Sequence, residues 1–160
     1  MMALSLVVEG KRPCGSCTKC CEGTLTANVH GQMIGQGKSC CWLSKRTGCT
    51  VYETRAPVCK DYICEWKRDL RIPEEFKPNL TNVIFTLRYL EGGKGTYVRV
   101  TDFNVKRNEK IWNWCKEQWE KGTYKHMTYS HYPDITSIQC TTTIFSLDEK
   151  ISNYLQTGVL

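Results

Sequence analysis

Cys14-Gly15-Ser16-Cys17-Thr18-Lys19-Cys20-Cys21 opens the stretch around which this chain is organised. It continues through Cys40-Cys41-Trp42-Leu43, then runs from Cys49 past Tyr52, Glu53, Arg55 and Pro57 to Cys59 and Cys64. Nine of the eleven cysteines lie between positions 14 and 64. Thiolates bind soft or borderline ions tightly, and a C-x2-C turn brings two sulfurs onto one ion. Cys14, Cys17 and Cys20 repeat that spacing twice in succession. Three sulfurs so placed suit three corners of an iron–sulfur cube whose fourth ligand comes from far along the chain, and bacterial ferredoxins use a run that begins this way. The ferredoxin run's own fourth cysteine, followed by proline, is missing here, and Cys21 follows Cys20 directly. Neighbouring residues project differently, so Cys20 and Cys21 are not expected to play equivalent roles at one ion. One of them serves a second ion or stays a buried thiol. Eight thiolates also suit two separate tetrahedral zinc sites, or one shared binuclear site.

At 160 residues the chain suits one domain with a real core, or one domain with a metal-stapled lobe. Its hydrophobic fraction of 41% is ordinary for a soluble globular protein. No apolar run approaches about 20 residues, so no membrane span is expected. Ala3 to Val8 is short for a signal-peptide core, has no cation before it and has Glu9 after it. It reads as a short strand, and the protein as cytoplasmic. In a reducing cytosol a dense thiol cluster points to metal binding or catalysis rather than to disulfides. The net charge of +6 is compatible with nucleic acid without indicating it.

Residues 22–39 carry four glycines and no clean period, and read as a long loop tethered at both ends by thiols. Part of 53–69 reads as helical, and Arg71 to Pro78 as a proline-bounded connector. After it the pattern changes. Val83, Phe85, Leu87 and Tyr89 alternate with Ile84, Thr86 and Arg88, and residues 82–101 read as a β-hairpin around Gly92, Gly93 and Gly95. Asn104 is placed to cap a helix running to about Lys121, with Gly122 as its stop. Trp112, Cys115 and Trp119 share its inner face, which Ile111 and Trp114 widen. Two β-rich stretches follow, near 126–132 and 138–145. Ser146-Leu147-Asp148-Glu149 has the form of a capping box, opening a short helix with Leu147, Ile151, Tyr154 and Leu155 inward and Gly158 at its end.

Outside the cluster, Cys115 and Cys140 read as plain buried thiols. His30 lies between ligand groups and reads as an ordinary loop histidine, while His126 and His131 would point to opposite faces of one strand. Tyr52 and Arg55 read as supports of the site, with Arg55 donating to carbonyls or sulfurs around it. The lysines of the 104–121 helix are diluted by Glu109, Glu117 and Glu120, as on a solvated amphipathic face. No phosphate loop and no nucleophile elbow is present.

The cysteine stretch resembles the YkgJ-type cysteine-cluster family, described as a zinc- or iron-chelating domain. The matching residues are Cys14, Cys17, Cys20 and Cys21, then Cys40 with Trp42-Leu43, then Cys49, Tyr52, Glu53, Arg55, Cys59 and Cys64. Cys41 stands where the family usually has proline and reads as an extra thiol. Ala56 stands where a proline follows the arginine in the family, and the proline here is Pro57. The resemblance covers about 14–66. It implies a chelating module and no particular reaction, although a flagellin lysine N-methylase carries a similar cluster of the iron–sulfur kind.

The expectation is therefore an α+β protein with an irregular metal-stapled N-terminal lobe (1–70). A small antiparallel sheet with one or two packed helices (71–160) completes it. Cys14, Cys17, Cys20, Cys21, Cys40, Cys49, Cys59 and Cys64 are the expected metal ligands, holding an iron–sulfur cluster of the 4Fe–4S type with a redox or enzymatic role. The alternative is a structural zinc module mediating protein or nucleic-acid interaction. A protein partner or protein substrate is expected, with nucleic acid the weaker choice and no membrane.

Overall fold

The computed structural model describes residues 12–62, 64–137 and 139–158, so the strand expected at Ala3 to Val8 lies outside the described residues. The period-two pattern after the connector forms strand β5 (Val83–Tyr89), which pairs antiparallel with β6 (Thr96–Asp102), Val83 opposite Asp102 and Tyr89 opposite Thr96. Alternation sends Val83, Phe85, Val98 and Val100 into the main core and leaves Thr86, Arg88, Arg99 and Thr101 on the other face.

The chain then crosses over through helix α4 (Glu109–Glu120) to β7 (Met127–His131), and β8 (Thr141–Phe145) follows. The sheet order is β5-β6-β7-β8. The α+β class holds, but the sheet is mixed rather than antiparallel throughout, because β7 runs parallel to β6. A helical crossover returns the chain to the starting end of the preceding strand, which a tight turn cannot do. Ile111 and Cys115 of α4 are buried against Phe85, Val100, Met127 and Tyr129, with Trp112, Trp114 and Trp119 packed around them.

The cap of α4 is Asn108, whose side chain accepts from Ile111 N, and not Asn104. Buried Asp102 is the reason. Its carboxylate accepts from Asn104 N (2.9 Å), Asn104 Nδ2 (2.7 Å), Asn108 N (2.7 Å) and the Tyr129 hydroxyl (2.6 Å). Those bonds order the turn and delay the helix by one loop. Helix α5 (Glu149–Thr157) is likewise capped by Asp148 rather than Ser146, and ends at Gly158 in the left-handed region. Leu147, expected to point inward, is 91% exposed. The Ser146 hydroxyl instead accepts from Asp148 N and contacts His126 Nδ1.

The N-terminal lobe is built of short pieces. Residues 22–39 are not an irregular loop throughout: Ala27–Val29 (β1) and Gln32–Ile34 (β2) form a hairpin. Each strand has three residues, too few to show a period. Leu43–Ser44 (β3) pairs with Gly48–Cys49 (β4). Two single-turn helices follow, α1 (Pro57–Asp61) and α2 (Glu65–Arg68). Between α2 and β5 lies a further single turn, α3 (Pro78–Thr81). The lobe has a small core of its own, centred on Ala27, Val29, Ile34, Cys40 and Ala56. Trp66, Ile72 and Phe76 pack instead in the main core under the sheet. Arg12 fastens this junction by donating to the carbonyls of Trp66 (3.1 Å), Leu70 (2.9 Å) and Ile72 (2.6 Å). Among the described residues no helix is long and apolar enough to cross a membrane.

Candidate metal centre

All eleven cysteines are free thiols. The first knuckle is a chain of tight turns, in which Cys17 N donates to Cys14 O (3.0 Å) and Cys21 N to Thr18 O (2.8 Å). Gly15 supplies the left-handed backbone this needs, at φ +57°. Cys14, Cys17 and Cys20 then line one small apolar cavity of about 40 Å³. Cys64 lines the same cavity, with Trp66 and Ile84 forming part of its wall. Cys64 is brought there by the sheet, since it forms an isolated antiparallel bridge with Thr86 of β5.

Of the other clustered cysteines, Cys40 is part of the lobe's own core, Cys21 and Cys59 pack against it, and Cys41 is exposed. Cys40 N donates to Cys21 O (2.8 Å), which ties the second cysteine group to the first knuckle. Cys49 sits on β4 opposite Leu43, three residues past Cys40. Cys59 lies on α1, where its N–H donates to Ala56 O (2.9 Å), and it packs with Cys21 against the core that contains Cys40.

The electrostatics join the two groups at Cys20 and Cys21. The Cys20 and Cys21 sulfurs are 3.8 Å apart and share a hydrogen bond. That bond drives Cys20 far up, helped by burial and by the charges of Cys21, Cys17 and Cys14. The same bond brings Cys21 down to about 7, with Arg55 assisting and burial opposing. Burial pushes Cys64 up to about 11, and Cys17 and Cys14 add to it. Cys40 is raised by burial and by Cys21, Cys41 and Cys49. Cys59 is raised by burial and by Cys21, Cys40 and Cys49, with Arg55 opposing. Cys20 and Cys64 thus share the neighbours Cys14 and Cys17, whereas Cys40 and Cys59 share Cys21 and Cys49. Crowded thiols that raise one another are groups a cation would stabilise as thiolates.

Among the described residues no three His, Cys, Asp or Glu side chains are already arranged as a coordination sphere. The donors are nevertheless of the thiophilic kind: Cys14, Cys17, Cys20 and Cys64 line one cavity, and Cys21, Cys40 and Cys59 meet at the lobe core. Arg55 donates from Nε to Tyr52 O (2.7 Å) and stacks over the Tyr52 ring (3.7 Å), placing one fixed positive charge beside Cys21 and Cys59. Tyr52 itself is exposed, and its visible role is to hold Arg55.

The remaining candidates fall away from the thiols. His30 bonds to Thr54 O (3.0 Å) and stands edge-on to Trp42. His131 bonds to Asn104 O. Cys115 is fully buried in the main core, but Cys140, expected to be buried, is exposed because it precedes β8 rather than lying within it. Four cations in and just before α4 are paired: Arg107 with Glu109, Lys110 with Glu75, Lys116 with Glu120 and Lys121 with Glu117. Arg12 was not singled out from the sequence, since a lone arginine before Pro13 gives no sign of a partner more than fifty residues away. No protein-family model, no curated protein and no solved structure matches the chain.

Proposed function

We propose that the chain is a metal-binding protein whose eight clustered thiols form two four-thiolate centres. Cys14, Cys17, Cys20 and Cys64 hold the first; Cys21, Cys40, Cys49 and Cys59 hold the second. The observation that carries this reading is that Cys20 lines the cavity shared with Cys14, Cys17 and Cys64, whereas Cys21 packs on the lobe core with Cys40 and Cys59. Three cysteines at C-x2-C spacing with a remote fourth suit a 4Fe–4S cluster at the first centre. The second set suits a single tetrahedral ion. An iron–sulfur cluster supplies a one-electron couple when bound, which gives the protein a redox or enzymatic role on a protein substrate in a reducing cytoplasm. The cysteine spacing, with its resemblance to a chelating family, supports the same reading.

A second reading is favoured by the number of thiols. Eight thiolates complete two tetrahedral zinc sites, whereas one 4Fe–4S cluster uses four. Zinc in both centres would make the protein a structural module that presents a surface to a protein or nucleic-acid partner.

Purification without oxygen, followed by a visible spectrum and counts of iron, sulfide and zinc per chain, tests both. A brown protein with broad absorption near ~400 nm and about four irons supports the cluster. A colourless protein with two zincs supports the structural module. Protein that takes up neither metal overturns the proposal.

A further inference from the structure

Between the lobe and the polar face of the sheet lies a cleft of about 680 Å³, within the range of about 300–1,000 Å³ that small-molecule sites occupy. Its floor is the face of β5 and β6 that points away from the main core. Thr86 lies directly opposite Arg99, and Arg88 lies opposite Tyr97, so Arg88 and Arg99 are diagonal neighbours on one face. Both line the cleft. Like charges so placed repel one another. Among the described residues the ion pairs include neither arginine. Among the described residues of the wall Asp61 is the single acid, against these two guanidinium groups.

Hydroxyl groups surround the arginines. Thr86 and Thr101 stand on the floor, and Tyr62 and Tyr132 reach in from the sides. The Tyr62 phenol contacts the Thr86 side chain, and Arg99 contacts the Tyr132 phenol. Leu25, Ile84 and Phe103 supply an apolar part of the wall. Guanidinium groups bind carboxylate and phosphate through paired charge-assisted hydrogen bonds. We propose that this cleft binds a small organic oxyanion, its carboxylate or phosphate held between Arg88 and Arg99 and its apolar body against Leu25, Ile84 and Phe103. The anion relieves the repulsion between the two arginines, which the fold otherwise bears. The proposal rests on the thiol-bearing lobe being folded, because Leu25 and Tyr62 belong to it, and not on which metal the lobe holds.

Calorimetric titration of the full-length, metal-loaded chain with phenyl phosphate and with phenylacetate tests this, with benzyl alcohol as the neutral control. The expected result is saturable binding of at least one anion and none of the alcohol. Arg88→Ala and Arg99→Gln should each weaken it at least about tenfold. Arg88 is exposed, so its variant keeps the test valid if the Arg99 change disturbs folding. The tighter of the two anions names the head group. Absence of saturable binding by both, or binding unchanged in the Arg88 variant, overturns the proposal. Metal is counted in the same samples. A folded chain without metal that still binds the anion sustains the cleft and fails the metal reading, and a metal-loaded chain that binds neither anion does the reverse.

Discussion

Cys64 pairs with Thr86 across an isolated antiparallel bridge, so the last cysteine of the cluster is fixed by the edge strand of the sheet. Its position is set by backbone pairing and not by its sulfur. The lobe is therefore joined to the main core by two devices, this bridge and the Arg12 clamp on the carbonyls of Trp66, Leu70 and Ile72.

Cys64→Ser should remove the metal of the first centre while leaving the sheet intact. Metal counts should fall, and hydrogen exchange at Phe85 and Val100 should stay slow. Cys115→Ser should do the opposite: it places a hydroxyl in an apolar core and costs roughly 1–3 kcal/mol, with the metal count unchanged. Loss of metal in the Cys115 variant would overturn the ligand assignment.

Asp69 should contribute to acid sensitivity. It is fully buried, and burial alone would raise its carboxyl; the Arg71 guanidinium, the Arg71 N–H and the Tyr124 phenol together hold it below the usual range. A carboxyl depressed in the folded state stabilises the fold at pH values above its unfolded pKa of about 4. That stability is lost as the pH falls through the lower folded value. Urea midpoints measured from neutral pH down through this window should fall less steeply for Asp69→Asn than for the parent, from a lower starting stability. Identical acid limbs would contradict this role.

Gly23→Ala should loosen the lobe selectively. Gly23 sits at φ +95°, and a Cβ there would meet Gly37 C at 2.7 Å and Lys38 N at 2.9 Å. Both are backbone atoms with little room to yield, so the change should cost about 1–3 kcal/mol or more. Limited proteolysis should cut the variant between Gly23 and Lys38 while the sheet survives. Equal resistance in parent and variant would show that the close approach is not needed.

The sheet and its helices were legible because their patterns are long. Seven-residue strands with period two, and a twelve-residue helix with Cys115 and the tryptophans on one face, stand out from any background. The parallel pairing of β6 and β7 was not legible, since strand direction depends on where α4 returns the chain. The late start of α4 was hidden for a different reason: Asp102 reads as one more strand residue until its four donors are seen around it. In the lobe, three-residue strands carry no period at all. The thiols were legible one by one. That Cys64 lines one cavity with Cys14, Cys17 and Cys20 required the fold, because its bridge to Thr86 brings it there.

The central claim is that Cys20 and Cys21, adjacent in sequence with sulfurs 3.8 Å apart, belong to different metal centres. Native mass spectrometry of the parent, Cys20→Ser and Cys21→Ser, all purified without oxygen, tests it most directly. The account predicts two metal-dependent mass increments in the parent. Cys20→Ser should lose one increment and Cys21→Ser the other, with each variant keeping what its neighbour loses. Loss of the same increment in both variants would place the two cysteines at one centre and contradict the account.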